Sequence, residues 1–343
     1  MPKIFLHMLL SLNLSLLNSC FFFSQHTTQH GGASVKHKPV FDLQAWNEED
    51  LVIAYNAGDT EAVRALISQS VNIESAFKDN TEALIRVYAL MGNQKKVQFY
   101  LQHGYGINTQ NKKKSTVLMY AASGGSLELV QKLVEQGADI NIQDVYRKTP
   151  LSYATHSGAL DIVKYLVKQK ANIHVRDHNQ QSLLSYAIYG DSVTVFKYLL
   201  DQGLTLEEER ATKNTFLLKA AQAGSLALVK YFVEQGATID TKDEHKNTPL
   251  LWASFEGSLP VVKFLVDHGA DAKAKNTEGS GALSFGAYDP QSIDIAKFLI
   301  QHGAEFDPQT TYAQVIFRKA IEKNSLDDVN YFLARGVNIN QKD

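Results

Sequence analysis

Two histidines, His174 and His178, flank the tripeptide Val-Arg-Asp and are the first place in the chain to look for metal chemistry. A metal centre needs several ligands in fixed geometry. The stretch around this pair, "ANIHVRDHNQQ", is polar and reads as a loop, which supplies neither. His103, His268 and His302 each stand directly before a glycine, where a polar ring meets the last carbonyls of a helix. The sequence contains no GxGxxG, no Walker-type phosphate loop, no HExxH, no EF-hand loop and no GxSxG elbow. Cys20 is the single cysteine, so an intrachain disulfide and a Cys-based zinc site are both excluded. These residues predict no catalytic residue, no metal, no cofactor and no small-molecule substrate. The expectation is a chain that is not an enzyme.

The chemistry that does recur is aromatic. Thr248–Ala253 reads "TPLLWA", and similar phrases stand at "TVLMYA", "TPLSYA", "SLLSYA", "TFLLKA" and "GALSFG". The fifth letter is Tyr120, Tyr153, Tyr186, Lys219, Trp252 and Phe285 in turn. Three residues further on come Ser123, His156, Tyr189, Gln222, Phe255 and Tyr288. Residues i and i+3 share one face of a helix. Tyr186 with Tyr189, Trp252 with Phe255, and Phe285 with Tyr288 are therefore expected as aromatic pairs. Two readings stand side by side. The rings pack against neighbouring repeats, or they anchor a partner, because aromatics bury large areas at low entropic cost.

The elements that hold these residues follow a fixed period. Ala121, Ala154, Ala187, Ala220, Ala253 and Gly286, the sixth letters, are 33 residues apart. Counting Ala54, Tyr88 and Ala320 at intervals of 33 or 34 gives nine units from about residue 49 onward. A fixed period of this length marks a solenoid. Thr116, Thr149, Ser182, Thr215 and Thr248 are expected as N-caps of a short first helix, and Pro150 and Pro249 suit its first position. That helix ends near Gly92, Gly125, Gly158, Gly190, Gly224 or Gly257. Ser126, Ser192, Ser225, Ser258, Ser292 and Ser325 are expected to cap a second helix, which ends at Gly104, Gly137, Gly203, Gly236, Gly269, Gly303 or Gly336. Lys170 breaks that last series. It is expected to cost about 1 kcal/mol if it must turn left-handed.

Helix, tight turn, helix and hairpin loop every 33 residues, with "TPLxxA" and "GADIN", resemble the ankyrin repeat. The resemblance covers about residues 49–343. It implies an all-α solenoid of helix-turn-helix units joined by β-hairpin-like loops. It also implies a non-enzymatic scaffold that binds an unidentified protein on its concave surface. By this geometry the fifth-letter residues lie partly exposed on that side. The partner-binding candidates are thus Tyr120, Tyr153, Tyr186, Tyr189, Trp252, Phe255, Phe285 and Tyr288. The chain departs from the family in one respect. The fourth letter, where the family carries a turn-bracing His, is Ser152, Ser185, Leu218, Leu251 or Ser284. Around Pro290 the repeat is one residue longer, and a longer turn is expected there.

Charge says little about the partner except by exclusion. The 343 residues carry a net charge of -2, which argues against nucleic acid. A row of lysines on the second helices, Lys164, Lys197, Lys230, Lys263 and Lys297, reads as a solvated face.

The first twenty residues, "MPKIFLHMLLSLNLSLLNSC", hold one early cation and an apolar run too short for a stable spanning helix. Leu17-Asn18-Ser19-Cys20 resembles the lipobox of bacterial lipoproteins. That resemblance implies a signal peptide over 1–19, a lipid on Cys20, a flexible tether over 20–46, and a repeat domain over 47–343. The implied location is a bacterial cell envelope, at the outer membrane or in the periplasm. Plain secretion and an uncleaved anchor are the other readings of this segment. A secreted effector that binds a host protein is the corresponding functional alternative.

Overall fold

The computed structural model describes residues 48–57, 59–68, 71–78, 80–206, 212–287 and 292–338. The expected signal peptide, the tether, Cys20, Tyr288 and the turn at Pro290 lie outside the described residues. The contacts divide the chain into two compact units. The first runs to Gly190 and resumes over Thr194–Leu204; the second comprises Asp191–Val193 and everything from Thr205.

Unit 1 is a series of antiparallel helix pairs. α1 (Glu48–Ala57) and α2 (Thr60–Ser68) open it, and a single turn, α3 (Ile73–Ala76), follows. Then come α4 (Thr81–Leu90) with α5 (Gln94–Gln102), α6 (Val117–Gly124) with α7 (Leu127–Glu135), α8 (Pro150–His156) with α9 (Leu160–Lys168), and α10 (Leu183–Tyr189) with α11 (Val193–Asp201). First helices stack on first helices: α6 lies between α4 and α8, and α8 packs on α10. The stack is close because the facing residues are small. Ala121, Ala154 and Ala187 are fully buried. A Cβ on Gly124 would come within 2.4 Å of the Leu90 carbonyl oxygen, and one on Gly190 within 2.1 Å of the His156 carbonyl oxygen. Gly190 is thus required by helix approach. Its φ is -83°, and Asp191, at φ 48°, takes the left-handed place expected of it.

Unit 2 repeats the plan with α12 (Lys213–Gln222) and α13 (Leu226–Glu234), α14 (Pro249–Glu256) and α15 (Leu259–Asp267), α16 (Ala282–Gly286) and α17 (Ser292–Gln301), and α18 (Thr311–Glu322) and α19 (Leu326–Leu333). α14 packs between α12 and α16. Its core is Phe216, Leu217, Phe232, Leu250, Leu251, Val262 and Leu265, all essentially inaccessible.

The caps follow the sequence except at Thr215, Ser126, Ser258 and Ser292. Thr116, Thr149, Ser182 and Thr248 each accept the backbone N–H three residues on, and Pro150 and Pro249 stand at the helix start. In α12 the cap is Thr212, and Thr215 sits one turn inside, closing the box back to the Thr212 N–H. Among the second-helix serines, Ser225 and Ser325 cap through their hydroxyls. Ser126 does not, and Ser258 Oγ donates instead to the Gly224 carbonyl. Ser292 is the first residue of α17, and its buried hydroxyl has no hydrogen bond. Lys170 does turn left-handed, at φ 65°.

The connecting fingers are turns. Among the described residues no strand forms, and a single antiparallel bridge pairs Lys275 with Gly281. Each finger opens on an Asn or Asp whose Oδ1 accepts backbone N–H groups from its own turn. Asn111 takes those of Lys113 and Ser115, Asp144 those of Tyr146 and Lys148, Asp243 those of His245 and Asn247, and Asn276 those of Glu278 and Ser280. The fourth finger residue has positive φ: Lys114, Arg147, Gln180, Lys246 and Gly279. Adjacent fingers within a unit are tied tip to tip. Val145 N–H donates to the Lys113 carbonyl and His178 N–H to the Tyr146 carbonyl, both at 2.9 Å, and in unit 2 Thr277 N–H donates to His245.

Candidate partner-binding surface

The aromatic fifth-letter residues sit at the middle of the first helices, nine residues after the Asn or Asp that opens the preceding finger. Side chains nine apart meet because the finger folds back over the helix start. Tyr153 Oη donates to Asp144 Oδ2 at 2.7 Å, Tyr186 Oη to Asp177 Oδ2 at 2.6 Å, and Trp252 Nε1 to Asp243 Oδ2 at 3.0 Å. Asn111 stands nine residues before Tyr120, and its side chain lowers the phenol pKa instead of raising it as the carboxylates do. One carboxylate thus holds its own turn with Oδ1 and the next helix with Oδ2. Burial, and then the facing carboxylates, push the Tyr153 and Tyr186 phenols well above the usual range. Burial does the same at Tyr120. The Tyr153 and Tyr186 hydroxyls stay protonated and act as donors.

This corrects the expected partial exposure of the slot. Tyr120 and Tyr186 are 5% exposed and Trp252 8%, and their polar ends are used inside the chain. Tyr153 is half-buried, with its hydroxyl on Asp144. The missing fourth-letter His is replaced by this aromatic brace one residue later. The signal was present in the sequence as an Asn or Asp nine residues before each Tyr or Trp.

Phe285 departs from the pattern. Its ring has no donor, and Asn276, nine residues before it, gives its amide to Asn247 Oδ1 instead. Phe285 and Phe255 are half-buried, 6.0 Å apart. Each meets Trp252 edge-on, at 6.3 and 5.9 Å. The expected Trp252–Phe255 pair is therefore present, on a buried Trp252 base. Tyr189 is half-buried at the end of α10. Tyr288, the expected mate of Phe285, lies outside the described residues.

His156 occupies the position three after Tyr153. Its Nδ1 is buried without a hydrogen bond, and its ring meets Tyr186 edge-on at 6.1 Å. Burial first, and Lys148 second, push its pKa down to about 4.

The lysine row is more than a solvated face. Lys164 Nζ lies 5.9 Å from the Tyr198 ring centroid, Lys230 5.7 Å from Phe264, Lys263 5.8 Å from Phe298, and Lys297 5.2 Å from Tyr331. Four of the second helices thus place an ammonium over a ring of the next, a contact contributing about 0.5–1 kcal/mol at an exposed site. The rings of His103, His268 and His302 stack on the Phe four residues earlier, with Nδ1 2.7–2.8 Å from its carbonyl oxygen. This explains a histidine before each of those glycines. Among the described residues no group of three His, Cys, Asp or Glu side chains is placed to hold a metal. None of their helices is long and apolar enough to cross a membrane.

The same helix pairs and fingers are found in known proteins. The family model "Ankyrin repeats (3 copies)" matches residues 85–177, 118–210 and 183–276, which together span more than half of the chain. The crystal structure of the human ASB11 ankyrin repeat domain is similar, with a TM-score of 0.50 and 25% identity over 65% of this chain and 99% of that one. No curated protein matches the sequence. The repeat in the sequence, the helix pairs with their fingers and the family match agree, and the chain belongs to the ankyrin repeat family.

Proposed function

We propose that the chain is a non-enzymatic scaffold of nine ankyrin repeats that binds a protein partner on the face carrying its first helices and fingers. Phe255 and Phe285 of unit 2 are its apolar anchors. The observation that carries this reading is their adjacent pair of half-buried rings, seated edge-on on Trp252. The other slot rings are braced by polar tips, whereas a phenylalanine has no tip to brace and offers its surface for recognition. The helix pairs of the two units support the count of nine.

The scaffold is exported and held at a bacterial envelope membrane by a lipid on Cys20. The lipobox-like Leu17-Asn18-Ser19-Cys20 supports this part. A diacylglycerol with a further acyl chain anchors firmly, since each buried methylene contributes about 0.8 kcal/mol.

Pull-down from envelope fractions tests the partner face. Wild type should recover a protein that Phe255→Ala/Phe285→Ala loses while its helical circular dichroism is unchanged. Equal recovery by both would remove these rings from the interface. Metabolic labelling with a lipid analogue should be lost in Cys20→Ser. Label that persists there, or unlabelled protein accumulating in the medium, would replace the anchored scaffold with a secreted protein acting on a host target.

A further inference from the structure

We propose that the fingertips of unit 1 form a docking site for an acidic, extended protein segment. This names the chemistry of a partner and rests on the scaffold reading above. The three consecutive fingers and their flanks carry Lys112, Lys113, Lys114, Arg147, Lys148 and Arg176. The carboxylates that open two of them, Asp144 and Asp177, are buried. Asp144 accepts the N–H groups of Tyr146 and Lys148 and the Tyr153 hydroxyl; Asp177 accepts the Gln181 N–H and the Tyr186 hydroxyl. Their charges are directed inward, away from the exposed cations. Lys112, Lys114 and Arg147 are exposed. In a chain of net charge -2, this concentration is local.

The patch is also fixed and partly apolar. Val145 and Tyr146 are each 46% exposed at the middle tip. Lys148 Nζ lies 5.9 Å from the Tyr146 ring centroid and 5.2 Å from that of Tyr186, so its ammonium is pinned beside the tip. Lys113 Nζ donates to the Ala57 carbonyl. The tip-to-tip hydrogen bonds from Val145 to Lys113 and from His178 to Tyr146 hold the three fingers in register.

Each finger is two extended segments wide, so equivalent tip residues recur about every 10 Å. An extended chain covers that distance in about three residues. A segment with an acidic side chain at every third position therefore meets the exposed cations of the first two fingers, Lys112, Lys114 and Arg147, with Tyr146 covering its apolar stem. Fixed cations at that spacing favour a polypeptide over a bilayer, which needs tips free to insert. The fingers of unit 2 offer no such field. With their flanks they mix both signs: Lys242, Lys246, Lys273 and Lys275 stand among Asp240, Asp243, Glu244, Asp271 and Glu278.

The probe is a fluorescein-labelled Glu-Ser-Gly repeat peptide of about fifteen residues, with a Gln-Ser-Gly peptide as its uncharged match. Wild-type protein should bind the Glu peptide and not the Gln peptide, with affinity falling as salt rises from about 50 to 200 mM. Lys112→Glu/Lys114→Glu/Arg147→Glu should weaken binding at least about tenfold. A charge-matched change in unit 2, Lys242→Glu/Lys246→Glu/Lys273→Glu, should leave it within about twofold. Equal losses in the two triple variants would show an effect of net charge alone and overturn the site. Sedimentation with phosphatidylglycerol-containing vesicles, combined with no binding of the Glu peptide, would overturn it in favour of a membrane surface. If the envelope partner is recovered equally by wild type and by the unit 1 variant, the fingertip site falls and the scaffold stands. If wild type recovers no protein, the scaffold reading fails and this site with it.

Discussion

The fingers of the two units share one backbone and use their side chains differently. In unit 1, Tyr153 and Tyr186 reach back to Asp144 and Asp177, and Lys112, Lys114 and Arg147 are exposed on the fingers. In unit 2, Trp252 makes the same reach to Asp243, but the next slot holds Phe285, and the finger charges are mixed. One position on the first helix therefore has two uses. With a donor at the ring tip and an Asp nine residues earlier, the residue braces the finger. Without the donor, the ring makes no brace and only packs, half-buried, against its neighbours. The repeat preserves its frame by one choice and offers a recognition surface by the other.

The largest effect should come from removing a braced ring and comparing it with an open one. Trp252→Ala takes out a buried indole and frees Asp243, and should cost about 3–5 kcal/mol. Phe285→Ala removes a half-buried ring and should cost about 1–2 kcal/mol. Urea melts of both variants check this. Equal costs would mean that Phe285 is as structural as Trp252, and the division between brace and surface would collapse.

The next effect belongs to unit 1 and to pH. His156 is held neutral down to about 4 in the folded chain, against 6.5 when unfolded. Between those values the unfolded state binds the extra proton, so stability rises with pH and is lost as pH falls from 6.5 to 4. The full loss is about 3 kcal/mol, most of it present by pH 4.5. His156→Leu should flatten this window in urea melts. An unchanged slope would place the acid sensitivity elsewhere.

The brace itself comes third. Tyr186→Phe leaves Asp177 Oδ2 without its phenol and should cost about 1–3 kcal/mol. Phe285→Tyr adds a hydroxyl where Asn276 already serves Asn247, and should be nearly neutral by the same thermal melt. A gain of a kilocalorie or more there would mean that the open slot is an unfinished brace.

The helical frame was legible because it depends on residue types that repeat. Threonine caps, first-turn prolines, core alanines and closing glycines each answer a local backbone need, and a period of 33 makes them visible together. What escaped was the relation between two repeating positions. Each carried a plausible role alone: Asp144 as a polar loop residue, Tyr153 as a surface ring. Only the fold brings positions nine apart into contact. Thr212 escaped for a related reason. The 33-residue register points to Thr215, but the helix gains another turn of hydrogen bonds by starting earlier, where a second threonine is available to cap it. Gly190 shows a third kind of miss. Its place in the series suggests a left-handed turn, whereas its requirement is the carbonyl of His156 in the neighbouring helix.

The smallest effect tests whether left-handed positions are tuned by function or by the frame. Lys170 adopts φ 65° where Gly104, Gly137 and Gly203 close the equivalent helices of unit 1. A side chain there costs about 1–2 kcal/mol of backbone strain, and glycine gives back part of that through its freer unfolded chain. Lys170→Gly should therefore stabilise unit 1 by up to about 1 kcal/mol. Arg147, at φ 62°, carries the same strain at a fingertip. Arg147→Gly should bring a similar gain in stability but weaken the acidic peptide, while Lys170→Gly leaves peptide binding unchanged. Thermal melts and peptide titrations on the two variants separate these effects. If both variants gain stability and only Arg147→Gly loses binding, the strain at the fingertip is retained for the charge it displays. If neither changes binding, Arg147 is there for no reason that the acidic-segment site can claim.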